Sequence, residues 1–168
     1  MKKHLLAILV CALALTGCTS KPSKVEQYRA EKHVRDSVAL VEQERSLAYY
    51  QEQMELLTAQ ADSLLPLFKY EKNEKYQDHG FYVVRNEKLK NHAGLRVMVQ
   101  DDGQSLLVYR EGKRLSDEKV SDLMVKGDPA VQRAQHLQIV MKDIRELEKR
   151  IEKTSLEVQK YQKRLNLY

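Results

Sequence analysis

The chain has 168 residues, 32% of them charged, with no tryptophan, six glycines, three prolines and a formal net charge of +5 at pH 7. That length suits one domain of ordinary size, the scarcity of Gly and Pro favours long regular elements, and the modest charge gives no argument for a nucleic-acid partner. Both cysteines, Cys11 and Cys18, fall in the first eighteen residues, so the remainder holds no disulfide, thiol nucleophile or cysteine-ligated zinc.

Residues 1–17 stand apart. Lys2, Lys3 and His4 precede the uncharged apolar run Leu5 to Leu15, the pattern of a secretory signal. Eleven residues make a helix of only ~16 Å, against about 30 Å of membrane hydrocarbon, so the segment reads as a removable leader rather than a span. Directly after it comes Leu15-Thr16-Gly17-Cys18, which resembles the lipobox of bacterial lipoproteins. The resemblance covers about twenty residues. It implies cleavage between Gly17 and Cys18, a diacylglycerol on the Cys18 thiol and acylation (palmitate or a similar chain) of the new amino terminus. Several acyl chains meet the requirement of more than one membrane signal for stable anchoring. The competing reading is a secreted protein cut near Ala14. Loss of Lys2 and Lys3 lowers the formal charge to +3. Residues 18–24 form a short tether, and Thr19-Ser20-Lys21-Pro22-Ser23-Lys24 contains no acid. By resemblance to enterobacterial sorting this favours the outer membrane. Other lineages need an acidic run here for surface export, and its lack implies the periplasmic face of the cell envelope.

Residues 25–65 contain no Gly or Pro, and Leu40, Leu47, Met54 and Ala61 step by seven, interleaved with Tyr50, Leu57 and Leu64. This is a heptad seam and predicts a first coiled-coil helix. Upstream, His33, Asp36 and Gln43 occupy equivalent positions, which predicts helix packed less tightly. Pro66 lies among Leu64, Leu65, Leu67 and Phe68, and two outcomes stay open: an end at Leu65, or a bend and continuation.

Residues 66–128 form a different kind of segment. Phe81 to Val84, Leu95 to Val99 and Leu106 to Tyr109 are β-rich runs, punctuated by Gly80, Asn91 to Gly94, Asp101-Asp102-Gly103 and Glu111-Gly112. They predict a small antiparallel meander of three or four strands, Lys113 to Leu115 being the fourth. Ser116 then caps a short helix with Val120, Leu123 and Met124, closed by Gly127. That helix, or the end of the helical hairpin, is the expected cover for the sheet.

Residues 129–168 open on Asp128-Pro129, a cap followed by proline at the first helical position. Leu137, Val140, Ile144, Leu147, Ile151, Thr154, Val158, Tyr161, Leu165 and Tyr168 then alternate steps of three and four, a second coiled-coil helix. Residues 24–65 carry five bases and eight acids, residues 129–168 nine bases and five acids. Opposite charge beside a shared seam favours pairing of the two within one chain over parallel self-pairing of each. The expected fold class is α+β: a long antiparallel coiled-coil helical hairpin with a small β-meander at its distal end. Val25 and Tyr168 would lie together near the membrane, with the head roughly 60 Å away.

Signatures of chemistry are missing from the sequence. No Gly-x-Ser-x-Gly or His-x-x-x-His occurs, and His33, His79, His92 and His136 are scattered. Asp101-Asp102-Gly103-Gln104-Ser105 reads as a hairpin turn, because Gly112 stands where a calcium loop needs glutamate. Glu42 with Glu44 and Glu146 with Glu148 read as solvated helix faces, and no phosphate-binding loop occurs. No catalytic residue, metal, cofactor or small-molecule substrate is expected. The bases Lys142, Arg145, Lys149, Arg150 and Lys153 alternate with Asp143, Glu146, Glu148 and Glu152 as a mixed helix surface. Lys160, Lys163 and Arg164 complement the helix C-terminus, with attraction to anionic lipid head groups as the second reading.

These features lead to an expected non-catalytic, lipid-anchored scaffold or interaction module of the periplasm, presenting a β head to a protein partner, with self-association through the coiled coil as the variant. Val99, Leu107 and Tyr109 are the candidate partner surface, by strand addition. The alternative is a periplasmic holdase. The order helix, hairpins, helix is similar to prefoldin subunits, and coiled-coil arms around a β body resemble the Skp-type chaperone, although there the helices form the middle of the chain. Both are likenesses of fold only.

Overall fold

A computed structural model describes residues 23–72, 79–86 and 94–166. Gly17 and Cys18 of the lipobox, His92 and Tyr168 lie outside the described residues. The protein is α+β, with a five-stranded antiparallel sheet between two long helices.

Helix α1 spans Lys24–Leu64. Ser23 and Glu26 start it with a reciprocal capping box: the Ser23 hydroxyl accepts from the Glu26 amide at 3.2 Å, and the Glu26 carboxylate accepts from the Ser23 amide at 2.7 Å. Together they satisfy two of the donors that every helix start leaves unpaired. Pro66 decides the other end. It sits in a single 3-10 turn, Leu65–Leu67, because a proline ring clashes with the preceding helical carbonyl and offers no N–H.

The chain then enters strand β1 (Phe68–Lys72), which the sequence reading missed. Next come β2 (Gly80–Val84), β3 (Arg96–Gln100), β4 (Leu106–Arg110) and the two-residue β5 (Lys113–Arg114). Spatial order equals chain order, a plain meander of five strands rather than three or four. Pairing of Phe68 with Val84, Tyr82 with Val99, and Val97 with Val108 sets the faces. Phe68, Val84, Val97, Val99 and Val108 thus lie on one side and are buried. Val99, expected on a partner surface, is fully enclosed in the core. Its neighbours two residues apart along the strand explain the error, since a one-residue shift in register exchanges the faces.

Helix α2 (Asp117–Val125) follows, and Gly127 takes φ +73° to turn the chain. Asp128 then caps helix α3 (Pro129–Leu165), its carboxylate accepting from the amides of Ala130 at 3.0 Å and Val131 at 3.1 Å. The main cover of the sheet is not α2 but, as the second expectation had it, the end of the long-helix pair that adjoins it. It is the first third of α3, where Ala130, Val131, Ala134 and Leu137 are fully buried, with Val120 of α2 beside them. Ala130 and Ala134, one turn apart, let the helix backbone come close to the strands. Each large side chain buried there contributes about 1.5–3 kcal/mol.

Beyond the sheet, α1 and α3 lie side by side in opposite directions. Gln60 meets His136 at 2.8 Å, Glu44 meets Gln162 at 3.4 Å, and Asp36 stands 3.9 Å from Arg164. On α3, Val140, Leu147, Thr154 and Val158 are buried; on α1, Leu40, Leu47, Tyr50, Met54 and Leu57 are half-buried and Ala61 is buried. Asp36 is buried as well, so packing extends further upstream than the apolar pattern suggests. It then stops: every residue from Ser23 to Arg35 is exposed. Because Arg164 sits beside Asp36, Val25 is offset from the end of α3 by eleven residues, or ~16 Å. The two helix ends therefore do not coincide. No helix among the described residues is long and apolar enough to cross a membrane.

Candidate interaction surface

The β3–β4 turn ties the sheet to α3. Gly103, at φ +71°, passes so close that an added Cβ would lie 2.7 Å from the Lys142 backbone nitrogen. Asp102 accepts from the Gln104 amide at 2.9 Å and pairs with Arg145 of α3 at 3.1 Å. Asp101 gathers the other side of the head: Gly80 donates its N–H at 2.7 Å, Tyr70 its hydroxyl at 3.2 Å, and His79 lies at 3.4 Å. Loss of water contact, and then the Asp101 carboxylate, holds the phenols of Tyr70 and Tyr82 above the ordinary tyrosine value. The acidic pair at 101 and 102 is thus a set of structural clamps. No group of three His, Cys, Asp or Glu suited to a metal ion occurs among the described residues.

The other titratable candidates are dispersed. His33 is on the exposed start of α1, His79 precedes β2, and His136 meets Gln60 between the long helices. Glu42, Glu44, Glu146 and Glu148 are exposed. Lys160 pairs with Glu157 at 3.1 Å, and Arg164 lies 5.5 Å from the centre of the Tyr161 ring as well as near Asp36. These cations support helix packing.

What the fold does assemble is an apolar surface. On the sheet face turned away from α3, the register brings Phe81 and Val83 of β2, Met98 of β3, and Leu107 and Tyr109 of β4 together. All five are half-buried, and none packs into the core. A depression of about 230 Å³ between Arg96, Met98 and Tyr109 opens at one side. Glu71 and Arg96 pair across the surface. Leu107 and Tyr109 lie on this outer face, although β4 stands between β3 and β5 and is not the edge that strand addition needs; Phe81, Val83 and Met98 join them without having been expected there. Alternation with Tyr82, Val84, Val97 and Val99 carries that signal once the register is known. Besides the two-residue β5, the edge is β1, which has a strand on one side only. Lys69 and Lys72 are exposed on it, the charged pattern that blunts strand addition. The broad face is therefore a better contact surface than the edge. A second depression, about 580 Å³ between the β4–β5 hairpin and α2, is lined by Arg110, Lys113, Arg114, Lys119 and Lys126 with Glu111 and Asp122.

No protein-family model, no curated protein and no solved structure matches this chain.

Proposed function

We propose that this protein is a lipid-anchored scaffold of the bacterial periplasm, held in the outer membrane through acylated Cys18, with α1 and α3 forming a coiled-coil hairpin that carries the head to a protein partner. The role is non-catalytic: binding, not turnover, is what the surface can do. The observation that carries the reading is the apolar face of Phe81, Val83, Met98, Leu107 and Tyr109. A small sheet covered on one side by a helix ordinarily turns polar residues to water on the other, and a contiguous exposed apolar patch marks contact with another macromolecule. Its five side chains sit beyond the C-terminal end of a 41-residue helix whose other end adjoins the proposed tether.

The test is a photo-crosslinking side chain at Leu107 in living cells, compared with the same chain bearing Cys18→Ala. One or two stoichiometric partners, lost together with membrane association and palmitate labelling in the Cys18→Ala chain, support the scaffold. Capture of many unfolded envelope proteins regardless of Cys18 would overturn it in favour of a holdase.

A further inference from the structure

Helix α1 is apolar on two opposite faces. Its seam residues Asp36, Leu47 and Met54 turn toward α3, and Val38, Tyr49 and Leu56 each stand two positions later, about 200° around the helix. Val34 and Val41 join them, and all five are more than half exposed. The row continues through Arg45, Ala48, Glu52 and Ala59, all exposed. Among the described residues such a stripe has no partner, since α3 and the sheet lie on the other side. Helix α3 has no equivalent: Ile139 and Leu156 are its only large apolar residues that are strongly exposed among the described residues, and they are isolated.

We infer that this outer face of α1 binds the same face of a second copy, antiparallel, about a twofold axis passing between Ala48 and Tyr49. The order of charges selects this occupant and this direction. With the axis there, Val41 faces Leu56, Val38 faces Ala59, and Arg45 of each copy comes opposite Glu52 of the other, while Glu55 and its matched residue Glu42 lie on opposite flanks of the stripe. None of the ion pairs among the described residues uses Arg45 or Glu52, so these charges are available to one another. A parallel in-register pair would instead stack Arg45 on Arg45 and Glu52 on Glu52, and like charges beside an apolar seam oppose association. The contact from Val38 to Ala59 is ~32 Å long, enough for several interlocking layers. A twofold pair is isologous and closed, so it stops at two copies. The pairing depends neither on the lipid nor on the partner of the head.

The experiment uses the chain from residue 18 onward with Cys18→Ala, which leaves no cysteine. Sedimentation equilibrium should show a dimer that weakens in high salt. Arg45→Glu and Glu52→Arg should each raise the dissociation constant about tenfold or more by opposing like charges, and the double variant R45E/E52R should restore it. Both substitutions are at exposed positions, so circular dichroism of all three variants should report unchanged helix. Mixed chains carrying Val41→Cys and Leu56→Cys should form a 41–56 disulfide under mild oxidation in preference to 41–41 or 56–56 links. A monomer at every concentration, a double variant no tighter than the singles, or dominant 41–41 links would each overturn the proposal.

Discussion

The two long helices, 41 and 37 residues, have similar lengths and the same heptad habit, yet the fold treats them differently. Helix α3 has one broad apolar face, and the fold uses all of it: the first third seals the sheet and the remainder packs on α1. Helix α1 divides its apolar residues between two faces and gives only one to the fold. Helix length and heptad spacing thus say little about how many surfaces a helix must satisfy; the angular distribution of its apolar residues does.

The contrast can be broken most severely at Leu137, where sheet and long helix meet. Leu137→Ala should cost about 2–5 kcal/mol, the range for truncating an enclosed leucine. Leu56→Ala, on the outer face of α1, should stay within about 0.5 kcal/mol in chains kept monomeric by Arg45→Glu. Urea unfolding of the two variants measures the difference, and equal losses would refute the assignment of faces. A smaller effect is expected at Gly103, which lets the sheet touch α3. Gly103→Ala places a methyl group against the helix backbone at positive φ and should cost about 1–3 kcal/mol, read as a lower urea midpoint with unchanged slope.

The smallest effect belongs to the start of α1. The Ser23 amide, and then the Ser23 hydroxyl, hold the Glu26 carboxyl below the ordinary glutamate value. A group whose pKa is depressed on folding contributes above its unfolded value, and that contribution fades as pH falls through its folded pKa. Protection factors of the amides in the first turn of α1, corrected for the intrinsic exchange rate, should therefore fall as acid protonates Glu26, while amides around Leu137 remain protected. Simultaneous loss at both places would mean that the helix start is coupled to the core.

Much of the stalk was legible because its signals are local: Asp128-Pro129 starts α3, and the three-and-four spacing marks the packed faces. Strands β2, β3 and β4 were legible from their β-branched runs. Strand β1 was not, since Phe68-Lys69-Tyr70-Glu71-Lys72 offers only two apolar side chains and follows a proline with two readings. The cover of the sheet was legible only as one of two alternatives, because Ala130 and Ala134 signal close approach only when a surface stands beside them. The outer face of the sheet was read in part. Leu107 and Tyr109 are correctly outward, but Val99 belongs to the opposite face, and only strand register separates the two sets. The Ser23 to Glu26 capping box was present as a Ser-x-x-Glu spacing and went unread. The second face of α1 went unnoticed because its apolar residues are diluted by Arg45 and Glu52.

The offset between the helix ends has a mechanical meaning. For twelve residues, about 18 Å, whatever is attached before Ser23 is connected to the folded body by one strut rather than two. Short isolated helices are marginal in water, so this strut is the joint of the molecule. Lateral load applied at Ser23 will be taken up by bending or fraying of this single helix before the packed helices beyond it. Its four basic residues, Lys24, Arg29, Lys32 and Arg35, also place trypsin-type cleavage positions on that exposed stretch.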